Sequence, residues 1–319
     1  MKASLEFASP DSDFGSNVNQ TLCSLFMGTP EIAVPVLRVL AARTSCRGVV
    51  TQPDRPAGRG HQLQPPAVKV AALELGLPVW QPETLKGQAA DPRLQGLDLI
   101  VVMAYGELLR QEVLGLPRLG CINLHASLLP RWRGASPLQA VIRAGDPATG
   151  VTVMRMVRGL DAGPMYLTQT VPLDGTTTLP WLHDALADAA ATALGRFLDH
   201  PTAIPVEQDP ALVTHCRKLL PEDGRLDWNL AQADLDRWVR AYTPAPGCWV
   251  PQGSDRIKIL GLEPAGHADL TPGQTMVAGE RILVGCGDGA VAVTRLQMPG
   301  RKPLAAAEFL RGARIPEQL

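Results

Sequence analysis

No stretch of this 319-residue chain comes near the roughly 20 consecutive apolar residues that a membrane-spanning helix needs. An excess of one charge is missing too. Lys and Arg number 30 against 31 Asp and Glu, a formal net charge of −1. No overall positive field therefore demands a nucleic-acid partner, and any such partner must meet a local patch. The six cysteines, at 23, 46, 121, 216, 248 and 286, form no Cys-x-x-Cys pair and are not spaced with histidines as in a zinc site. Most read as small buried apolar residues in a reducing cytoplasm, and no metal is expected. A secretory leader is also lacking: the opening "MKASLEFASPDSDFGSNVNQ" is polar, carries three acids and has no continuous apolar core. Residues 1–22 read as a disordered extension or as the product of an upstream start codon. "MGTPEIA" stands where a Gly-x-Gly-x-x-Gly fingerprint would be, and neither a P-loop nor a Gly-x-Ser-x-Gly elbow occurs. That leaves a dinucleotide or nucleoside-triphosphate site without support. Repeats, heptads and low-complexity tracts are absent as well.

What is present is an ordinary globular composition, 45% hydrophobic and 19% charged, in a chain long enough for two domains. Through the first two thirds, apolar runs alternate with helical patterns. "LCSLFM", "CRGVVT", "LPVW", "LDLIVVM" and "CINLH" read as strands; "EIAVPVLRVLAAR" and "PAVKVAALELG" read as helices between them. "GVTVMRMV" and "MYLTQTVPL" resemble two later strands, followed by a long amphipathic helix, "TLPWLHDALADAAATALGRFLDH". Such alternation argues an α/β fold, a Rossmann-like doubly wound parallel sheet, over residues 23–200. "PTAIPVEQDP" has three prolines and no helical period, so 201–216 read as a linker. Beyond it, short strands between Gly- and Asp-rich turns suggest a smaller C-terminal β-barrel, 217–319.

Three segments stand out. "CINLHASLLPRWRGASP" ends an apolar strand on Asn123 and His125, two apart and so on one face. The carboxyl end of a strand in an open α/β sheet is where ligands bind; both residues are equally ordinary turn formers. "VRGLDAGPMY" sets Asp161 in a glycine-flanked loop between two strands. A carboxylate near a histidine orients the ring and favours its protonated form, whereas a lone Asp beside Gly is a turn residue. "TQPDRPAGRGHQLQPPAVK" exceeds the 2 to 6 residues usual between strand and helix, and its Arg55, Arg59 and Lys69 outnumber its single acid, Asp54. It could touch phosphates or be a solvated loop. Arg131 and Arg133 flank Trp132, a pattern able to grip an anion or stack on a planar ring, or simply to anchor a surface loop.

Taken together, "FMGTPEIAVPVL", "TQPDRPAGRG", "VVMAYGELL", "GCINLHASLLPRWRGASPLQ" and "GVTVMRMVRGLDAGPMY" resemble the methionyl-tRNA formyltransferase family from about residue 23 onward. The Asn-x-His-x-Ser-Leu-Leu-Pro pattern with a downstream Leu-Asp-x-Gly is shared with the wider group of 10-formyltetrahydrofolate enzymes, and "QPDRPAGRG" narrows it to the tRNA member. The resemblance implies a formyl transfer from 10-formyltetrahydrofolate to methionyl initiator tRNA, with Asn123, His125 and Asp161 at the catalytic positions. It further implies Ser127, Leu128, Leu129 and Pro130 as a folate-contacting turn, tRNA contacts from Arg55, Arg59 and Lys69, and an OB-like tRNA-binding barrel. A cytoplasmic enzyme is expected, with no metal and no membrane partner, and a monomer since no dimerising stripe is visible. "GLDAGPMY" departs from the pattern at Pro164, where an acidic or polar residue belongs; local geometry should change, not chemistry. The second domain matches less crisply, and residues 217–319 carry 13 basic against 12 acidic residues, so tRNA binding there would depend on a stripe. The nearest alternative is a formyltransferase acting on a small amine, an amino-sugar nucleotide or glycinamide ribonucleotide, which would not need the basic insertion. A non-catalytic RNA-binding protein on the same scaffold is the alternative from another class.

Overall fold

The computed structural model describes residues 21–57 and 62–319. Arg59 and residues 1–20 of the N-terminal extension lie outside the described residues.

Seven strands make the first sheet: β1 (Cys23–Gly28), β2 (Ser45–Val50), β3 (Val79–Trp80), β4 (Leu99–Met103), β5 (Cys121–His125), β6 (Ala148–Arg155) and β7 (Met165–Pro172). Their spatial order is β7-β6-β5-β4-β1-β2-β3. Side chains alternate between two cores. Phe26, Leu99, Val101 and Ile122 face one, and Leu25, Met27, Ile100 and Val102 face the other. Both faces are therefore covered, which is why "LIVVM" is apolar throughout instead of alternating. Helices α1 (Val34–Arg43), α2 (Ala67–Glu74) and α4 (Leu179–Asp199) supply the first cover, joined by α3 (Pro137–Ala144). The second cover is built from residues 81–119, mostly irregular, through Leu85, Leu94, Tyr105 and Val113. Each such fully buried large side chain contributes about 1.5–3 kcal/mol.

The α/β architecture agrees with the sequence reading, with one modification. From β3 through β5 the ladder is parallel, but β6 runs antiparallel to β5 and β7 antiparallel to β6. A parallel return needs a crossover of a dozen or more residues, and 156–164 between β6 and β7 are too few.

The second domain begins with α5 (Gln232–Tyr242), which packs against α3. An antiparallel sheet follows: β8 (Cys248–Gln252), β9 (Asp255–Gly266), β10 (Thr275–Ala278), β11 (Arg281–Cys286) and β12 (Gly289–Gln297), ordered β8-β9-β12-β11-β10, with β13 (Leu304–Ala305) beside β12. Ile257, Ile259, Ile282, Val284, Val291 and Val293 alternate inward. Among the described residues no ladder joins β8 to β10, so the sheet remains open. No helix among them is long and apolar enough to cross a membrane.

Residues 201–216 are not a free tether. Val206 bridges Met165 at the start of β7, and His215–Cys216 pair in parallel with Arg133–Gly134.

Candidate active site

β5 ends on the site. It lies between parallel β4 and antiparallel β6, with Asn123 opposite Val102 and Met154, and His125 opposite Thr152. Past the strand opens a cavity of about 510 Å³, lined by Asn123, His125, Asp161, the 103–108 loop, Leu138 and Leu160, among others. That volume suits a small-molecule ligand, and its mixture of apolar wall and few convergent polar groups is the usual composition.

The three polar groups are held differently. His125 is 6% exposed, and its Nε2 lies 2.9 Å from the Trp132 carbonyl. A carbonyl only accepts, so Nε2 carries a hydrogen and the tautomer is set by that partner. Nδ1 faces Asp161 Oδ2 across 3.6 Å, wider than a hydrogen bond. Asp161 Oδ2 accepts from the Gly134 backbone N–H at 2.9 Å. Asp161 has φ +48°, a left-handed conformation unusual outside glycine. The Asn123 carboxamide has no hydrogen-bond partner among the described residues, and it borders the cavity.

The turn Ser127–Pro130 is absent from the cavity lining. Ser127 is fully buried: its hydroxyl donates to the Arg131 carbonyl (2.6 Å), and its own carbonyl accepts from Thr152 Oγ1 (2.7 Å). Thr152 Oγ1 also accepts from the Leu129 N–H at 3.0 Å. The turn thus ties β5 to β6 behind the site.

The arginine–tryptophan stretch is likewise engaged inside the protein. Arg131 forks onto Asp146 at 2.9 and 2.7 Å and lies over the Trp132 ring, whose Nε1 donates to the same carboxylate at 2.8 Å. Burial alone would raise the Asp146 carboxyl, but the bonds from Arg131 and Trp132 outweigh it and hold the group below its ordinary range. Arg133 forks onto Gln208. Each of the three is thus held by a partner within the protein. Burial pushes the Cys121 thiol up to about 12, which makes it packing and not a nucleophile.

Of the basic insertion, Arg55 is exposed on a hairpin formed by Arg55–Ala57 and Gln62–Gln64. Lys69 is not a free cation: its Nζ bonds both Asp54 oxygens at 2.8 Å. Gln81 and Lys69 together hold the Asp54 carboxyl below its ordinary value. Lys69 anchors the hairpin's base, because Asp54, the one acid in the segment, lies within its reach. Pro164 uses only its carbonyl, which accepts from the Arg155 N–H at 2.9 Å, so its missing donor is not called upon there.

Two parts of the site were not evident in the sequence. The 103–108 loop follows β4, neighbour of β5 in the sheet, so the rule that ligands sit beyond strand ends pointed to it. Gln208 carried no such signal: it is the middle of three consecutive polar residues, Glu207 to Asp209, in a proline-rich stretch.

Residues 24–198 match the family described as formyl transferase, and residues 218–314 match formyl transferase, C-terminal domain. Two full-length relatives are close in sequence. The methionyl-tRNA formyltransferase of Pseudomonas paraeruginosa is 47% identical over 297 residues, covering 91% of this chain and 96% of the relative. That of Thiobacillus denitrificans is 48% identical over 295 residues, covering 90% and 96%. This chain belongs to the methionyl-tRNA formyltransferase family. Among solved structures the fold recurs in a sugar 3N-formyl transferase, WlaRD, at TM-score 0.65 and 14% identity, covering 89% of this chain and 100% of that one. It recurs also in HypX from Aquifex aeolicus in complex with tetrahydrofolic acid, at TM-score 0.62 and 18% identity, covering 92% of this chain. This chain spans about half of HypX, 48% of its length. In this methionyl-tRNA formyltransferase family member the cavity beyond β5 is formed wholly by residues of the segment that matches the formyl transferase family.

Proposed function

We propose that this protein transfers the formyl group of 10-formyltetrahydrofolate to the α-amine of methionine on initiator tRNA. The convergence of Asn123, His125 and Asp161 at one end of a cavity of about 510 Å³ carries this reading. The relatives' names supply the acceptor: both are methionyl-tRNA formyltransferases. The cavity suits a folate head group, with an apolar wall from Met103, Leu108 and Leu138 and a backbone loop turned by Gly106 at φ +95°. The 103–108 loop would hold that group, with Ser127–Pro130 fixing the strand end behind it.

Bound 10-formyltetrahydrofolate supplies an activated formyl carbon. The Asn123 amide, without a hydrogen-bond partner among the described residues, donates a hydrogen bond to the formyl oxygen as negative charge develops there. His125, tied at Nε2 to Trp132, presents Nδ1 to the same region. Asp161 takes the proton that the attacking amine loses and returns it to the departing N10, so the carboxylate is regenerated. A carbon–nitrogen bond forms to the amine as the bond to N10 breaks, and no group remains on the protein. Arg55, with Arg59, reaches the acceptor arm, and Lys69 fixes the hairpin that carries Arg55. The second domain follows the tRNA body. The site works in the cytoplasm, with the protein as a monomer.

The test mixes purified protein and 10-formyltetrahydrofolate with methionyl initiator tRNA, and with methionyl elongator tRNA in parallel. Formyl-methionine released from the initiator tRNA alone is the expected result. Product from neither, with folate bound, would move the acceptor to a small amine.

A further inference from the structure

Asp161 holds a left-handed conformation. A φ of +48° lies in the left-handed region that side chains other than glycine, Asn and Asp rarely adopt, and the surroundings hold it there. Part of the fixing comes from its own loop. A Cβ at Gly163 would collide with the Arg155 carbonyl, so that position admits only glycine. The rest comes from far along the chain. Gln208 is 8% exposed and uses its whole amide. Nε2 donates one hydrogen to the Asp161 carbonyl and the other to the Gly163 carbonyl, both at 2.8 Å. Oε1 accepts twice from Arg133, at 2.9 and 2.7 Å. Two donors and two lone pairs are the full capacity of a glutamine side chain, so the amide is satisfied and its orientation is set.

Arg133 is in turn held by backbone. Its N–H donates to the Thr214 carbonyl at 2.9 Å, and the next residue, Gly134, donates to Asp161 Oδ2 at 2.9 Å. A closed circuit results: Asp161 carbonyl, Gln208, Arg133, Gly134, Asp161 carboxylate. On one side Gln208 fixes the backbone of Asp161, and on the other the Arg133–Gly134 segment fixes its carboxylate. Val206 anchors the approach, exchanging backbone bonds of 2.7 and 2.8 Å with Met165.

We propose that Gln208, held by Arg133, is a positioning residue that sets the Asp161 carboxylate against His125, so that the segment between the domains is part of the active site. The inference rests on the formyl-transfer reading and adds a residue to it. Gln208 is absent from the cavity lining, so its loss is expected to act on turnover and not on folate binding. A carboxylate displaced by about 1 Å lowers the rate on the order of 10²-fold.

The experiment compares Gln208→Leu and Gln208→Glu with wild type. The first removes the whole amide. The second keeps acceptors for Arg133 but turns a carboxylate towards two carbonyls. Both should lower kcat, expressed per folate-binding site as titrated in the same preparation, on the order of 10²-fold with KM for folate and tRNA unchanged; the titration removes any contribution from unfolded protein. A kcat equal to wild type in either folded variant overturns the proposal. Should both fail to fold, Arg133→Lys decides, since it loosens the fork while leaving the Gln208 donors in place; a reduced kcat supports the proposal and an unchanged one overturns it. A crystal structure of whichever variant folds reads the geometry without substrate. Separation of Gly134 N from Asp161 Oδ2 is expected, and retention of the 2.9 Å contact overturns the inference whatever the assay reports. Wild type inactive on tRNA counts against the proposed function alone, and the crystal still judges Gln208.

Discussion

Asn123 and His125 occupy the same strand face, yet the protein depends on them differently. Asn123 makes no hydrogen bond to the described residues, whereas His125 donates to the Trp132 carbonyl and is nearly enclosed. Replacing Asn123 with Ala should therefore lower kcat by about 10²–10³-fold, as loss of an oxyanion donor does, with the thermal midpoint unmoved. His125→Ala should lose rate and also about 1 kcal/mol of stability, since it leaves the Trp132 carbonyl with only the weaker Cys216 thiol as donor. Melting curves beside single-turnover rates separate the two. A midpoint that drops in Asn123→Ala would mean that the amide is structural.

At the level of elements, the hairpin 55–57/62–64 and its base divide what the sequence treated as one basic patch. Arg55 is exposed and Lys69 is paired with Asp54. Arg55→Ala should raise KM for charged tRNA and spare folate binding and stability. Lys69→Ala should raise KM for tRNA too, but with faster proteolysis of the 52–66 segment, because the hairpin loses its anchor. Limited trypsin digestion alongside tRNA titration would tell them apart; equal proteolysis of both variants would contradict the anchoring role. Strand β5 was legible as "CINLH", and β4 as an apolar run, because burial on both faces leaves no choice of residue type. Asn123 and His125 were legible as a polar pair on one strand face, whereas Asp161 joined them only through the family resemblance; the fold sets all three at one cavity. Pairing was not legible. Whether Lys69 meets a phosphate or Asp54, or Arg131 an anion or Asp146, depends on distances that only folding sets. β10 and the two short ribbons escaped for the same reason: two to four residues hold no period.

For the molecule as a whole, acid is the weak side. Hydrogen bonds from Arg93 hold the Asp91 carboxyl at about 2, and those from Arg217 and Leu220 hold Asp223 at about 2; Asp54, Asp98, Asp146, Asp174 and Asp227 are also lowered. A carboxyl lowered by folding adds stability that is present above its unfolded value, near 3.9, and is lost as pH falls through the folded one. The thermal midpoint should be flat from neutral pH to about 5 and fall steadily below about 4. A midpoint unchanged down to pH 3 would show these bonds to be weak. Salt should soften the fall, since several of the pairs are exposed.

Where Arg133–Gly134 runs beside His215–Cys216, a side chain on Gly134 would strike the Cys216 carbonyl. The ribbon leaves no room between the two stretches of chain. Its consequence is for modularity: the catalytic half is not a cassette that ends with helix α4. Cut at residue 200, it would lose the strand that flanks Gly134 and the glutamine that seats the Asp161 loop. Anyone grafting this half onto another carrier must take the chain through Cys216.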